Sequence, residues 1–128
     1  MSYSARRHLT GLAIIAAVAL TVGTARAEGD PALGKTVFNK CAACHSIKPG
    51  ENKIGPSLHG IVGRPSHSIE SFNYSEPMKA YDVTWDAPTL DHYLIDPRGT
   101  VQGTKMIFVG LKKDEERANL IAYLETLK

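Results

Sequence analysis

Apolar positions recur with helical spacing in several segments of the sequence, and stretches without any regular pattern separate them. Leu33, Val37 and Cys41 lie four positions apart, which predicts a helix with one apolar face over residues 30–41. No series of alternating apolar and polar residues indicates a set of strands. The sequence therefore predicts an all-α fold with unusually long loops.

Acidic residues and prolines predict where the helices begin and end. Asp30 followed by Pro31 is typical of a helix start, because the carboxylate accepts from free N–H groups and proline has none to leave unpaired. Pro97 is predicted to stop an earlier helix. The remaining predicted helices are a short one near Ser75–Tyr81, one over Asp86–Ile95, and a last one from Asp114 with Leu120, Ile121, Leu124 and Leu127 on its apolar side.

The segment from Ser46 to Asn73 is rich in glycine and proline and has neither helical nor alternating periodicity. Loops of this length are uncommon in a compact domain unless they wrap something that orders them. A second glycine-containing segment, GTVQGTKMIFVG, covers residues 99–110. The sequence therefore predicts a small domain organised around a bound group.

The first 27 residues have the layout of a secretory signal peptide. Basic residues come first, an apolar run follows over Gly11–Val22, and Ala25-Arg26-Ala27 gives a small-residue cleavage signal. We expect cleavage after Ala27, a mature domain at 28–128 and a periplasmic location. The alternative is an uncleaved membrane anchor, although a spanning helix needs about 20 apolar residues.

The charge of the chain bears on two classes of partner, nucleic acids and anionic membranes. The full chain has 15 Lys and Arg against 13 Asp and Glu, but three of the arginines and none of the acids lie in the predicted signal peptide. The mature chain then has a net charge of −1. A positive excess that belongs to a targeting segment gives no reason to expect nucleic-acid binding or attachment to anionic membranes.

The chain's two cysteines lie in CAACH, residues 41–45. A thioredoxin-like thiol pair would need a βαβ framework, which the pattern does not predict. A structural zinc site would need a second pair of ligands at short spacing, and His59 and His67 lie too far apart in the sequence to supply one. C-x-x-C-H is also the signature of covalent haem attachment, with both thiols bonded to the porphyrin and His45 as an iron ligand. We favour the haem site.

A methionine thioether as the sixth iron ligand would give an electron carrier, whereas an open position would indicate gas or peroxide chemistry. After residue 27 the candidates are Met78, within a short helical segment, and Met106, in the loop that follows Gly103-Thr104-Lys105. We favour Met106. His92 is a weaker candidate for the same position, and we interpret His59 and His67 as surface or loop residues.

Several motifs, in order along the chain, give the sequence a family resemblance. They are CAACH, GPSLHGIVGR at 55–64, FNYS at 72–75, VTW ending at Trp85, GTKMIFVG at 103–110 and LIAYL at 120–124. With these motifs the sequence resembles the class I cytochromes c, in the branch that contains mitochondrial cytochrome c and the small bacterial periplasmic, c2-type cytochromes. The resemblance implies the class I cytochrome c fold, with short helices and long loops around one haem c.

The resemblance also assigns roles. Cys41 and Cys44 would bind haem c covalently, and His45 and Met106 would be the metal ligands, with no catalytic residue. The family usually has proline at the position of Gln102. Further implied contacts are the Pro56 carbonyl with His45, Tyr93 and Thr104 beside the methionine, Arg64, Tyr74 and Trp85 at the haem propionates, and Gly34 and Phe38 against the last helix near Leu120 and Tyr123.

These features predict a soluble, monomeric single-electron carrier that is not an enzyme. Its expected partners are redox proteins: a quinol-oxidising cytochrome complex on one side, and a terminal oxidase, photosynthetic reaction centre or periplasmic dehydrogenase on the other. Lysines that ring the haem edge in the family would guide docking; they correspond to Lys40, Lys53, Lys105, Lys112 and Lys113. A haem enzyme or gas sensor, and a subunit held permanently to one partner, remain as alternatives.

Overall fold

The structure is a computed structural model that describes residues 28–128. The predicted signal peptide and its cleavage site lie outside the described residues. The described part of the chain is helical and contains no strand beyond an isolated bridge between Pro65 and Thr84, so the all-α prediction is confirmed. In chain order the helices are α1 (Pro31–Val37), a 3₁₀-helix (Phe38–Lys40), α2 (Glu76–Ala80), α3 (Ala87–Ile95), α4 (Pro97–Thr100) and α5 (Asp114–Glu125).

The first four α-helices share one kind of start, an oxygen-bearing N-cap with proline in the first turn. The Asp30 carboxylate accepts from the Ala32 N–H at 2.7 Å, which pairs one of the N–H groups that a helix start leaves free. Pro97 ends α3, as predicted, but it also begins α4, which was not predicted. Asp96 is the N-cap of that short helix.

Helices α1 and α5 cross in direct backbone contact. A Cβ at Gly34 would overlap the Asn119 carbonyl oxygen and lie 2.7 Å from the Cβ of Tyr123. Beside this crossing the rings of Phe38 and Tyr123 are 5.6 Å apart between centroids. The Asn119 side chain accepts from the Asp30 N–H at 2.7 Å. The crossing expected from the resemblance is therefore present, and it fixes the direction in which the chain enters the 41–45 segment.

A buried arginine joins α5 to α3. Arg117 is 4 % exposed, and its Nε donates to the Asp91 carboxylate at 2.9 Å. The same guanidinium donates to the Leu111 carbonyl at 2.9 Å and to Asp114 at 2.5 Å. Because these three acceptors pair its donors, the arginine is buried without an unpaired charge. It also fixes the chain just after the segment that contains Met106.

The long segment between the 3₁₀-helix and α2 is irregular but ordered by hydrogen bonds. Leu58 N–H donates to the Ser46 carbonyl at 2.8 Å, and Ser66 N–H donates to the Val83 carbonyl at 2.7 Å. Aromatic residues from later in the chain form the neighbouring core, with Trp85 and Tyr93 4.8 Å apart between ring centroids. In the part of the chain that the structure describes, no helix has the length and apolarity needed to cross a bilayer.

Candidate functional site

Cys41 and Cys44 lie on one turn that closes the first helical segment. The backbone continues the 3₁₀-helix, with Cys44 N–H and His45 N–H donating to the Cys41 carbonyl at 3.0 and 2.9 Å. Residues three apart in such a turn face the same side. Both thiols are free and half-buried, and Cys41 packs against the hydrophobic core. The turn therefore presents two sulfur atoms together, with the histidine directly after them.

The environment of Cys41 is unlike that of a redox-active thiol pair. Burial, with a smaller contribution from the nearby Cys44, raises the pKa of Cys41 to about 11, and the charge of Lys40 opposes this only in part. A redox dithiol needs a thiol pKa lowered toward neutrality, so that the thiolate can attack. The observed shift has the opposite sign, which leaves the thioredoxin-like interpretation without support.

His45 has a defined tautomer. Its Nδ1 lies 2.7 Å from the Pro56 carbonyl oxygen, which can only accept, so Nδ1 carries the hydrogen and Nε2 keeps a free lone pair. Burial lowers the pKa of His45; the bond to Pro56 opposes that shift, and the charge of Lys53 adds to it. The imidazole is therefore neutral near pH 7. A neutral imidazole with its outer N–H bound to a carbonyl is the usual state of a metal-ligating histidine.

The histidine ring also needs the glycine before Pro56. A Cβ at Gly55 would lie 2.7 Å from Nδ1 and 2.9 Å from Nε2 of His45, so any other residue would displace the ring. Gly55 N–H donates to the Cys44 carbonyl at 2.7 Å, which holds this part of the loop against the cysteine turn. The loop therefore fixes both the position and the tautomer of the ring.

Met106 is the half-buried methionine of the 103–110 loop. Its sulfur accepts a hydrogen bond from the Tyr93 hydroxyl at 3.7 Å, and its N–H donates to the Thr104 hydroxyl at 3.4 Å. Tyr93 and Thr104 thus lie beside the methionine, as the resemblance implied. A thioether has a second lone pair, which is left for a metal. Met78, the rival candidate, lies in α2 and packs against the core.

The residues expected near haem propionates have protein partners in the structure. The Arg64 guanidinium donates to the carbonyls of His59 and Ser57, both at 2.9 Å, and burial lowers its pKa. The Tyr74 hydroxyl accepts from Ile69 N–H at 3.4 Å. Trp85 is buried against Tyr93. Their contact with a cofactor therefore remains a prediction.

The other histidines differ in their surroundings. His92 is exposed on α3 whereas its neighbour Tyr93 is buried, so it is a poor rival to Met106. His59 is half-buried. His67 is also half-buried, has a left-handed backbone with φ of 45°, and lies 3.8 Å from Asp82 through a buried Nε2 that makes no hydrogen bond. His67 is thus less of a surface residue than the sequence indicated.

The predicted docking lysines are exposed, and four of them have partners within the chain. Lys40 pairs with Glu116 at 2.9 Å. The ammonium groups of three others donate to backbone carbonyls: Lys53 to Ala42, Lys105 to Asn73 and Lys112 to Ile95. Three exposed apolar side chains were not singled out from the sequence: Ile54, Ile107 and Val109.

The residues present fit a covalently bound haem. The structure supplies two free thiols on one turn, a neutral imidazole with a free Nε2 lone pair, and a thioether with one lone pair unused. Nitrogen and sulfur ligands of this kind are those that hold haem iron in cytochromes c. Within residues 28–128 no group of three or more His, Cys, Asp or Glu side chains could hold a metal ion. A zinc site built from such protein ligands therefore has no basis in the described residues.

Sequence reasoning missed one residue that supports the histidine, Asn52. The Asn52 side chain accepts from Ser57 N–H, and Ser57 belongs to the same peptide group as the Pro56 carbonyl. No periodicity or motif marks Asn52, since its role depends on how the loop folds back on the 41–45 turn.

Comparison with known proteins shows the family of the chain. The cytochrome c family model matches residues 31–128. Cytochrome c-554 of Methylosinus trichosporium is 49 % identical, covering 88 % of this chain and 86 % of the relative. Cytochrome c2 of Rhodomicrobium vannielii is 43 % identical over 90 % of this chain and 93 % of the relative, and cytochrome c of Stellaria longipes is 47 % identical over 77 % and 93 %. The chain therefore belongs to the cytochrome c family, with the class I fold and the covalent haem c of that family, for which Cys41 and Cys44 form the C-x-x-C-H motif.

Proposed function

We propose that this chain is a periplasmic single-electron carrier in which Cys41 and Cys44 bind haem covalently and His45 and Met106 are the iron ligands. Membership of the family supports the electron-carrier function. The observation that carries the ligand assignment is the pair of hydrogen bonds His45 Nδ1 to Pro56 O, at 2.7 Å, and Tyr93 hydroxyl to Met106 Sδ, at 3.7 Å. The first bond uses Nδ1–H of His45 and leaves the lone pair of Nε2 free. The second uses one lone pair of the Met106 sulfur and leaves the other free.

The bound haem supplies a one-electron Fe(III)/Fe(II) couple. The chain's own residues keep both ligands in place when the charge changes. The Pro56 carbonyl holds the His45 ring in one orientation, and Gly55 lets the loop lie flat against it. Tyr93 is buried and holds the thioether, so water is kept from that side. Fixed ligands and excluded water make the reorganisation on electron transfer small, which suits a carrier.

Exposed lysines support docking to redox proteins with acidic surfaces. Lys105 follows Thr104 in the methionine loop, and Lys40 precedes the cysteine turn, so both charges lie close in sequence to the proposed ligands. Opposite charge on a partner would speed encounter, and salt would slow it. Proposed partners are a quinol-oxidising cytochrome complex as donor, and a terminal oxidase, reaction centre or periplasmic dehydrogenase as acceptor.

The experiment is a visible spectrum of the purified oxidised and reduced protein, followed by extraction with acid acetone. We expect a low-spin spectrum with the far-red charge-transfer band of ferric methionine-ligated haem, and pigment that stays with the protein. The control is Cys41→Ala/Cys44→Ala, from which acid acetone should extract any pigment. Extraction from the unmodified chain would contradict the thioether assignment, and an absent far-red band would contradict the methionine ligand.

Three further measurements test the remaining parts of the proposal. Carbon monoxide should not bind the reduced protein, whereas ready binding would favour a gas-binding or peroxidase function. Co-purification with one partner at high salt would favour a permanently bound subunit over a carrier. The mass of the exported protein should correspond to a chain that begins at Glu28, and retention of residues 1–27 would contradict signal-peptide cleavage.

A further inference from the structure

The peptide group between Pro56 and Ser57 is hydrogen-bonded at both ends. Its carbonyl oxygen accepts from Nδ1 of His45 at 2.7 Å, and its N–H donates to Oδ1 of Asn52 at 3.1 Å. The three groups therefore form one chain of hydrogen bonds, from the Asn52 amide through a single peptide unit to the imidazole.

The orientation of the Asn52 amide follows from its partners. A backbone N–H can only donate, so the atom that faces Ser57 N is the side-chain oxygen. The amide nitrogen on the other side donates to the Ser71 hydroxyl at 3.0 Å. Ser57 is 2 % exposed, and its hydroxyl donates to the Lys48 carbonyl at 2.6 Å. Water therefore has little access to the N–H end of this peptide.

Hydrogen bonds at the two ends of a peptide reinforce each other. The peptide C–N bond has partial double-bond character, so an acceptor on the N–H side moves electron density toward the carbonyl oxygen. Such cooperative strengthening is about 10–30 % per bond in condensed phases. A more negative Pro56 oxygen binds the Nδ1–H of His45 more strongly. A ligating histidine whose outer N–H is held more strongly is a better electron donor through its other nitrogen.

We propose that Asn52 is a positioning residue for the electron-transfer site: through the Ser57–Pro56 peptide it strengthens the hydrogen bond of His45 and so lowers the reduction potential of the iron. The proposal rests on the proposed function, because it takes His45 as an iron ligand. A stronger donor stabilises the more positive Fe(III) state, so loss of the Asn52 oxygen raises the potential.

Asn52 also joins two parts of the loop through Ser71, and a purely structural role would act through that bond. The chain offers a matched control. Ser71→Ala removes the acceptor of the amide nitrogen and leaves the Asn52 oxygen on Ser57 N–H. Asn52→Leu removes both bonds with a side chain of similar size. Comparison of the two variants separates polarisation of the peptide from simple fastening of the loop.

The test measures reduction potentials of the haem-loaded wild type, Asn52→Leu and Ser71→Ala. We expect Asn52→Leu to raise the reduced-to-oxidised ratio at a fixed potential about threefold, or about 28 mV at 59 mV per tenfold for one electron. Ser71→Ala should leave the ratio unchanged. In proton NMR of the reduced protein, the Nδ1–H resonance of His45 should move upfield in Asn52→Leu alone. Equal shifts in both variants, or no shift in Asn52→Leu, would overturn the proposal.

A second measurement keeps the test decisive if Asn52→Leu does not fold. The scalar coupling across the hydrogen bond between the Ser57 nitrogen and the Asn52 side-chain carbonyl carbon should be present in the unmodified protein, and its absence overturns the proposal. Asn52→Ala then replaces Asn52→Leu in the comparison of potentials. Failure of the proposed function has a different signature, since the wild type itself would then lack covalent haem or methionine ligation.

Discussion

The hydroxyl of Tyr93 donates a hydrogen bond to the sulfur of Met106, with 3.7 Å between oxygen and sulfur. Tyr93 belongs to α3 and is 6 % exposed, whereas Met106 belongs to a loop that begins after α4. The bond therefore ties an irregular loop to a helix through the sulfur atom proposed to bind iron.

Tyr93→Phe should change how stability depends on pH. Burial, with a smaller contribution from Tyr81, raises the pKa of Tyr93 to about 12. An unfolded tyrosine titrates near 10, so the folded protein binds this proton more tightly. The contribution to stability is complete below about pH 10 and is lost as the pH rises toward 12, at up to about 1.4 kcal/mol per pH unit. Denaturant unfolding of the reduced protein between pH 10 and 12 should show a shallower decline for the variant, and parallel curves would contradict the prediction.

Met106→Ala should abolish the far-red band of the ferric protein and allow the reduced protein to bind carbon monoxide. The matched control is Met78→Ala, which removes a half-buried methionine of α2 without touching the proposed ligand. We expect that variant to keep the band and to lose about 1–2 kcal/mol of stability, less than the 2–5 kcal/mol typical of a fully buried methionine. Loss of the band in Met78→Ala and its retention in Met106→Ala would show that Met78, and not Met106, is the iron ligand.

Gln102→Pro should hold the methionine loop more firmly. Thr104 N–H donates to the Val101 carbonyl at 3.1 Å, and Gly103 has φ of 82°, which is the pattern of a type II turn with residue 102 in second place. Proline is favoured at that position of the turn. It lowers the conformational entropy of the released loop, which stabilises the bound loop by about 0.4–1 kcal/mol. At 1.36 kcal/mol per pH unit, the pH at which the far-red band disappears should rise by about 0.3–0.7 unit. Gln102→Ala is the control, and equal midpoints for the two variants would count against this explanation.

Gly34→Ala should destabilise the protein by about 1–3 kcal/mol, the usual range for overpacking. The added methyl would overlap backbone atoms of Asn119 and lie 2.7 Å from the Cβ of Tyr123, and no side-chain rotation relieves such contacts. The gain in helix propensity, about 1 kcal/mol, offsets only part of this. Lys35→Ala, on the exposed side of α1, should change the unfolding free energy by no more than about 0.5 kcal/mol. Similar unfolding midpoints for both variants would show that α1 can move away from α5 without loss of stability.

Glu116→Gln should speed reaction with an anionic oxidant such as ferricyanide at low ionic strength. Lys40 and Glu116 are paired at 2.9 Å, so the carboxylate partly neutralises a proposed docking lysine. Glu125→Gln is matched in charge but lies about 14 Å further along α5, at 1.5 Å per residue. We expect the larger increase for Glu116→Gln, and no difference near 1 M salt, where the Debye length is about 3 Å. Equal effects of the two variants at low salt would contradict the assignment of Lys40 to the docking surface.

The sequence was sufficient for the helices whose ends have local causes. Asp30-Pro31 and Asp86 with Pro88 begin helices because the cap and the proline act within one turn. The same signal is present at Asp96-Pro97, and α4 could have been predicted from it. Pro97 predicts the end of the preceding helix, but a proline can both end one helix and begin the next.

Buried polar side chains could not be predicted, because their partners are distant in sequence. Arg117 and Asn119 are buried on α5, although apolar periodicity assigns the inner face to leucines and an isoleucine. Each is buried because another segment supplies its partner, Asp91 for the arginine and the Asp30 N–H for the asparagine. Asn52, at the proposed site, could not be predicted for a different reason. Its hydrogen bond spans only five residues, but it depends on how the loop folds onto the cysteine turn.

The hydrogen bond from Asp30 N–H to the Asn119 side chain closes a loop of 89 residues. While the chain is being made, α1 has no partner until α5 emerges. Closing so long a loop costs chain entropy before the contacts between the two segments form, and this slows folding. The cysteine turn follows α1 and the 3₁₀-helix, so it is made long before the helix that closes the fold. Attachment of a prosthetic group at this end can therefore precede closure of the fold around it.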